Sequence, residues 1–322
     1  MNTLRQAVDD YLEMRRGLGF KLGRIETRLR QFLAFMEDKK TIRITTALAL
    51  EFATQTPHLD PKTKAQRLSA VRGFARYQQG IDATGEVPAL GLLPSRSKCA
   101  RPYIYSEAEI LRLLEGVKNY RSWHRFSGPW WGRFQACTFH CIFGLLAVSG
   151  MRIGEVLNLQ PQDIDWMEGV LTIRNAKFGK SRLVPLHSST LKTLTTFVHH
   201  RDRFFARLKP KPELSHFFVT STGTRLSTKH ISRVFLKISR RIGLRAADAR
   251  CGPRLHDFRH RFAIETLLRW YRCGEQVDRL LPVLSTYLGH THVSGTYWYL
   301  SSTPELMQAA GRRLERRWKG VR

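Results

Sequence analysis

Cysteine is scarce in this chain of 322 residues, and the few cysteines present follow no framework pattern. The five are odd in number and include no C-x-x-C pair, which argues against a disulfide scaffold. Cys137 and Cys141 lie one helical turn apart in an apolar run. We therefore interpret both as small buried hydrophobic residues in a protein of a reducing compartment.

Long hydrophobic runs are also missing. The N-terminal segment MNTLRQAVDD lacks the apolar core of a signal peptide. The longest apolar stretch, CTFHCIFGLLAV, is too short to span a bilayer and contains His140. These absences predict a cytoplasmic protein with no membrane partner.

Acidic residues are few relative to basic ones: 26 Asp and Glu stand against 54 Lys and Arg, so the net charge is +28. Such an excess opposes compact folding by self-repulsion and favours a polyanionic partner. Nucleic acid fits better than a membrane, because no terminal segment joins a basic face to a strongly apolar one. Residues 1–100 carry +7 and the remainder +21. A clamp that closes on DNA from two sides and two independent basic modules both remain open.

The spacing of apolar residues predicts two domains. Residues 1–87 read as a bundle of four helices with a basic face, the last helix opening at Asp60 as N-cap followed by Pro61. Residues 88–102, PALGLLPSRSKCARP, contain three prolines and no amphipathic period, so they are predicted to be a linker. Residues 103–322 form the second predicted domain.

The second domain mixes helices with a few short strands, so the predicted fold class is mainly α with a small β-sheet. FQACTFHCIFGLLAVSG is apolar nearly all round and is predicted to be a central helix. DIDWMEGVLTIRNAKFGKSRLVPL reads as short strands with a hairpin tip at AKFGK, and HFFVTSTGTRLS as another extended piece. Helices are predicted in TKHISRVFLKISRRIG (capped by Ser227), LHDFRHRFAIETLLRW, VDRLLPVLSTYLG and the tail STPELMQAAGRRLERRW.

Several charged residues indicate a functional site only when they are considered together. Arg152 and Glu155 share a helix face, and His256 and Arg259 repeat this spacing. Taken singly, the first pair could be a surface ion pair, the histidine structural, and a lysine at the hairpin tip merely solvated. Taken together, two arginines could clamp one phosphate by forked hydrogen bonds, beside a tyrosine that serves as nucleophile.

Four segments carry a specific resemblance. SGMRIGEVLNL, KFGKSRLVPL, LHDFRH and LGHTHVSGTYWY resemble, in order and spacing, the four signatures of the tyrosine recombinase (phage integrase-like) family. The resemblance covers about residues 103–300, and the N-terminal bundle resembles the family's core-binding (SAM-like) domain. It implies that residues 103–322 are a mixed α/β catalytic domain with a C-terminal tail helix.

The resemblance also implies the catalytic residues, carried over position by position: Arg152, Glu155, Lys177, His256, Arg259, His290 and Tyr299. Tyr299 is preferred as nucleophile because the family places it nine residues after the second histidine, whereas Tyr297 falls two short and is interpreted as a packing residue. Lys180 remains an alternative to Lys177. His292 has no family role and is interpreted as a surface or DNA-contacting residue.

The implied activity is site-specific recombination of double-stranded DNA through a 3′-phosphotyrosine, with no cofactor, metal or ATP, by four protomers on two DNA sites. A bacterial mobile element is the expected source. The tail helix, with Leu306, Ala310, Leu314 and Trp318 on one stripe, could dock on a neighbouring protomer or pack on its own domain. The candidate DNA-contacting residues are Lys62, Lys64, Arg67, Arg233, Lys237, Arg240 and Arg241.

Three other functions stay open at this point. A type IB topoisomerase-like enzyme would share the chemistry and relax DNA without exchanging partners. A catalytically inert DNA-binding regulator would bind DNA and form no covalent adduct. A zinc protein could use His256, His290 and His292, although no cysteine pair supports it.

Overall fold

The computed structural model describes residues 4–95, 102–120, 129–174, 181–210, 212–249 and 251–319. Over these ranges the chain is mainly helical with one small antiparallel sheet, which confirms the predicted fold class. It divides into two compact units, Met1–Ala100 and Arg101–Arg322. In the part of the chain that the structure describes, no helix has the length and apolar character needed to cross a membrane.

The first unit contains the four helices that the apolar spacing predicted: α1 (Leu4–Gly17), α2 (Gly23–Asp38), α3 (Thr46–Thr54) and α4 (Pro61–Gln79). Helix α4 contacts each of the other three. As predicted, Asp60 caps α4 by accepting a hydrogen bond from the backbone N–H of Lys62, and Pro61 occupies the first turn. Phe32, Phe52 and Phe74 are fully buried between the helices.

The start of the predicted linker is held by this unit. The Arg72 guanidinium on α4 donates to the carbonyl oxygens of Pro88 and Ala89, each at 2.8 Å. Leu93 packs against the buried cluster of the bundle. Residues 88–93 are therefore fixed on the helices, although they have no regular secondary structure.

The second unit is built on nine helices within its described residues: α5 (Glu107–Lys118), α6 (Pro129–Ser149), α7 (Ile153–Asn158), α8 (Ser188–Phe205), α9 (Thr228–Arg241), α10 (Asp257–Arg272), α11 (Val277–Leu288), α12 (Ser294–Leu300) and α13 (Pro304–Lys319). The predicted central helix is α6, which contacts α5, α7, α8 and α10. Ile142, Phe143 and Leu146 on this helix have no exposed surface.

The predicted short strands form a three-stranded antiparallel sheet. Its strands are β1 (Ile164–Asp165), β2 (Val170–Ile173) and β3 (Arg182–Pro185), in that order. Leu171 pairs with Val184, and both side chains are buried. The hairpin tip predicted at AKFGK lies outside the described residues.

Two helices were not anticipated, and one extended segment is less regular than expected. Helix α5 begins with a capping box, in which the Ser106 hydroxyl and the Glu109 carboxylate each accept the other residue's backbone N–H. Helix α8 follows β3 directly. In HFFVTSTGTRLS only Val219 and Arg225 form a bridge, because the threonines between them bond to one another in a turn.

The tail helix α13 begins on its own domain. Leu306 is fully buried in a cluster with residues of α10, α11 and α12, whereas Leu314 and Trp318 are exposed. The predicted stripe is therefore split, with its first residue packed inside the unit and its distal residues open to solvent.

Helix α6 provides a matched test of the core. Phe143→Ala removes a fully buried ring and should lower the free energy of unfolding by about 3–5 kcal/mol. Val148→Ala on the same helix truncates an exposed side chain and should change it by no more than about 0.5 kcal/mol. Urea denaturation of both variants checks the difference, and equal losses would contradict the central position of α6.

Candidate active site

Most of the predicted site residues that the structure describes lie around the last turn of α11. The helix ends at Gly289, which adopts a left-handed conformation with φ 66° and ψ 46°. Three arginines from other elements donate to the carbonyl oxygens at this end. Arg182 Nε bonds Tyr287 O at 2.6 Å, Arg152 Nη2 bonds Gly289 O at 3.2 Å, and Arg259 Nη2 bonds Leu288 O. The carbonyl end of a helix carries partial negative charge, which favours cations there.

Arg152 precedes α7 as its N-cap residue, so it does not lie inside the helix as the spacing had suggested. The Glu155 carboxylate accepts both the backbone N–H of Arg152, at 2.9 Å, and Nη1 of its side chain, at 2.8 Å. Glu155 is buried and Arg152 is partly exposed. The pair is therefore built into the protein and is not a surface ion pair.

Arg182 was not singled out from the sequence, although it lies within the quoted KFGKSRLVPL. Arg182 lies at the start of β3 and donates two hydrogen bonds to Glu155, from Nη2 to Oε2 at 2.7 Å and from Nη1 to Oε1 at 3.1 Å. Burial by itself would raise the pKa of Glu155, but the hydrogen bonds and charges of Arg182 and Arg152 outweigh it and lower that pKa. Glu155 is thus an anion held between two cations.

Arg259 is the most deeply buried of the three arginines, with 1% of its surface exposed. Besides Leu288 O, its guanidinium bonds Gly150 O at 3.0 Å. Burial, together with the positive charge of Arg152, lowers the pKa of Arg259 to about 10, so it stays protonated at neutral pH. Gly150 has φ 60° and lies so close to the Phe262 ring that a Cβ there would be only 2.7 Å from it.

The two tyrosines of α12 point to opposite sides. Tyr299 is 2% exposed, whereas Tyr297 is 53% exposed. The interpretation of Tyr297 as a packing residue was therefore wrong: its helix face is turned to solvent, and Tyr299 is the one that packs. Burial raises the pKa of Tyr299, while the charge of Arg259 and a hydrogen bond to it act in the opposite direction.

His290 joins this group from the turn between α11 and α12. Its Nδ1 lies 2.8 Å from the hydroxyl of fully buried Thr296, and its ring is stacked near Tyr299 with centroids 6.2 Å apart. Burial, with the charges of Arg259 and Arg152, lowers the pKa of His290 to about 4. The imidazole is therefore neutral at pH 7.

His256 is the N-cap residue of α10 and is exposed at the edge of the group. Partial desolvation and the charge of Arg259 lower its pKa. His260 was not among the residues expected from the sequence; its ring lies near both His256 and Tyr299, with centroid distances of 4.8 and 5.6 Å. Burial and the neighbouring His256 lower the pKa of His260 to about 4.

Lys177 and its alternative Lys180 lie outside the described residues, so the structure does not place them. His292 is exposed on the turn before α12, as the surface interpretation predicted. Among the described residues, no group of three or more His, Cys, Asp or Glu is arranged to hold a metal ion. The group that is assembled brings cations and neutral imidazoles to a tyrosine hydroxyl, which suits the binding of an anion beside a nucleophile.

The candidate DNA-contacting residues of the second unit share one face of α9. Arg233, Lys237, Arg240 and Arg241 are all exposed there. Arg241 also donates to Asn119 O at 3.1 Å, so part of its donor capacity is used within the unit. The opposite face of α9 is apolar and includes the buried residues Ile231, Val234 and Ile238.

In the first unit the three candidates differ. Lys62 is exposed, and Lys64 donates to Pro57 O at 3.1 Å. The prediction that Arg67 contacts DNA at the surface was wrong, because the residue is only 7% exposed. Its guanidinium lies over the Phe52 ring, 4.1 Å from the centroid, and therefore serves the packing of the helix bundle.

The depressed histidine pKa values predict how stability depends on pH. The unfolded chain binds protons on its histidines near pH 6.5, whereas folded His290 and His260 stay neutral to about pH 4. Their contribution to stability is therefore complete above about pH 6.5 and is lost as the pH falls towards 4. Urea denaturation between pH 7.5 and 4.5 should show a shallower pH dependence for His290→Gln than for the original chain. The exposed neighbour provides the control: His292→Gln should leave that dependence unchanged, and a similar flattening in both variants would refute this explanation.

Comparison with known proteins places the chain in a family. The model of the phage integrase family matches residues 109–305. A protein named "Putative integrase/recombinase y4rB" from Sinorhizobium fredii (strain NBRC 101917 / NGR234) is 49% identical over 321 residues, covering 99% of each chain. The related y4rE of the same strain is 33% identical over 96% of this chain and 95% of its own. The solved structure of the Tn1549 transposon integrase with transposon right end DNA shares the fold, at 14% identity and a TM-score of 0.66 over 98% of this chain and 99% of that one. The chain belongs to the phage integrase family, the tyrosine-type site-specific DNA recombinases.

Proposed function

We propose that this chain cuts and rejoins double-stranded DNA at specific recombination sites through a 3′-phosphotyrosine intermediate on Tyr299, without a metal ion or ATP. The observation that carries the proposal is the environment of Tyr299. Its side chain is buried close to the positive charge of Arg259, and the neutral ring of His290 is stacked near it. The nine-residue spacing from His290 independently selects the same tyrosine.

Arg152, Arg259 and His290 would bind the scissile phosphate. Arg152 keeps part of its side chain exposed while anchored to Glu155 and Gly289 O, so it can receive a ligand without losing its position. Forked guanidinium donors match the geometry of phosphate oxygens. Donors fixed in place before the reaction stabilise the charge that develops in the transition state at little cost of reorganisation.

The reaction would be a transesterification in which bonds balance without an external energy source. The Tyr299 oxygen attacks phosphorus, the bond from phosphorus to the 5′ oxygen breaks, and the 5′ oxygen takes a proton from Lys177. His256, to which the family motif gives the role of base, would take the tyrosine proton by way of the neutral His260 ring, which lies near both side chains. Attack by the 5′ hydroxyl of a second strand reverses the step and releases Tyr299.

DNA would be held by positive charge on both units. We assign the exposed face of α9 to phosphate or groove contact, with Arg233, Lys237, Arg240 and Arg241 as its cations. The helical bundle would act as the core-binding domain, with Lys62 and Lys64 as contact residues and Arg67 as a packing residue. Synapsis would bring four protomers to two DNA sites. Separately, a protein of the same fold, the Tn1549 transposon integrase, has been solved in complex with transposon right end DNA.

The nucleophile is tested by trapping the covalent adduct. Tyr299→Phe should bind DNA with unchanged affinity but form no adduct on a nicked suicide duplex, because it lacks the attacking oxygen. Tyr297→Phe is the matched control on the opposite face of α12 and should form adduct normally. Adduct from Tyr299→Phe together with none from Tyr297→Phe would reverse the assignment. Relaxation of supercoiled DNA that lacks the site would instead identify a topoisomerase-like enzyme. If the original chain forms no adduct, the protein is an inert DNA-binding regulator.

The general acid is tested with a modified leaving group. Lys177→Ala should cleave ordinary DNA about 10²–10⁴ times more slowly, because the 5′ oxygen then leaves without a proton donor. A 5′-phosphorothiolate substrate, whose sulfur leaves readily unprotonated, should restore the rate. Lys180→Ala serves as the paired variant, and rescue confined to Lys180→Ala would move the role to that residue.

A further inference from the structure

We infer that Arg182 is a positioning residue of the site: it balances the charge of Glu155 and so leaves the charge of Arg152 available to the phosphate. The inference rests on the proposed function, because it concerns how the phosphate-binding arginine is presented. All three nitrogens of the Arg182 guanidinium donate to protein oxygens, so Arg182 itself is committed within the protein.

The donors of Arg182 are directed into the protein. Nη1 and Nη2 bond the two oxygens of Glu155, and Nε bonds Tyr287 O at 2.6 Å. Its Nη1 also lies so near Gly289 that a Cβ at that position would be 3.1 Å away. The guanidinium thus ties the start of β3 to α7 and to the turn that leads into His290.

Glu155 is where the two arginines compete. Its Oε2 accepts from Arg182 Nη2 and from the backbone N–H of Arg152, and its Oε1 accepts from Nη1 of both arginines. While Arg182 is present, the carboxylate has a second cation and makes only one hydrogen bond with the Arg152 side chain. Without Arg182, Arg152 would be the one cation still hydrogen-bonded to Glu155 among the described residues. Without the repulsion from Arg182, the attraction between the buried carboxylate and Arg152 would be stronger.

The wider charge pattern supports the same division of roles. The charged groups that face Glu155 are Arg152 before α7, Arg182 on β3 and Arg259 on α10. Arg259 donates to the backbone carbonyl oxygens of Gly150 and Leu288, so it does not replace Arg182 at the carboxylate. Glu155 and Arg182 therefore offset each other's charge, and the partly exposed Arg152 remains open to the phosphate.

The deciding experiment compares single and double variants of the full chain. Arg182→Met should lower the single-turnover rate of adduct formation on a suicide duplex by about 10²-fold, because Arg152 is displaced from its working geometry. The dissociation constant for DNA should change little, since Arg182 makes no contact with DNA in this scheme. Arg182→Lys should recover part of the rate, because an ammonium group restores the positive charge beside Glu155 although it cannot reproduce the two-pronged bond.

The double variant Arg182→Met/Glu155→Gln separates charge balance from a merely structural role. Glu155→Gln removes the negative charge that competes with the phosphate for Arg152. The double variant should therefore react faster than Arg182→Met alone. Arg174→Met is the matched control, since Arg174 follows β2 and pairs at 2.6 Å with buried Asp163, away from α11. It should change the melting temperature without changing the rate.

A readout that needs no cleavage keeps the test independent of the proposed function. A carbon-13 titration of Glu155 should show its pKa rise in Arg182→Met, because Arg182 provides the largest contribution that lowers it. No rise in this pKa, a normal rate in Arg182→Met, or an equally slow double variant would overturn the inference. An original chain that forms no adduct, with the pKa rise still present, would reject the proposed recombination and leave the charge balance standing.

Discussion

The architecture of the site depends on the capping of one helix end. The left-handed turn at Gly289 leaves the final carbonyl oxygens of α11 without helical partners, and arginines from three separate elements satisfy them. Each guanidinium uses some of its N–H donors on the carbonyl oxygens of this helix end, so its orientation is fixed. The same turn sets the entry into α12, so the cations and Tyr299 are positioned by one backbone feature.

Gathering three cations in a partly buried space is unfavourable by itself, and the structure shows how the repulsion is limited. Glu155 supplies an anion between Arg152 and Arg182, and the helix end supplies partial negative charge to all three arginines. Burial first, and then the positive charge that remains, lower the pKa of Arg259 to about 10 and that of His290 to about 4. The positive charge that Glu155 does not offset favours an anion, which is the charge of a DNA phosphate.

Prediction from the sequence succeeded where the signal is local. Apolar periodicity and the Asp60–Pro61 start placed the helices of the first unit, and DIDWMEGVLTIRNAKFGKSRLVPL was correctly read as short strands. It failed where a role depends on what another segment presents. Arg67 was expected on a basic surface, yet Phe52 from α3 covers it. Helix α5 was not predicted, although the Ser106 and Glu109 spacing of its capping box is a local signal in the sequence.

The sequence by itself determined the family and the set of candidate residues, because motif order and spacing are properties of the covalent chain. The nine residues from His290 to Tyr299 can be counted without coordinates. Only the tertiary structure decided which side chains meet: Arg182 on Glu155, His260 near both His256 and Tyr299, and Tyr297 turned to solvent while Tyr299 is buried. Burial and pairing depend on segments that are distant in sequence, such as α11 packing beside β3 and α12, and the order of residues along one segment does not encode its neighbours.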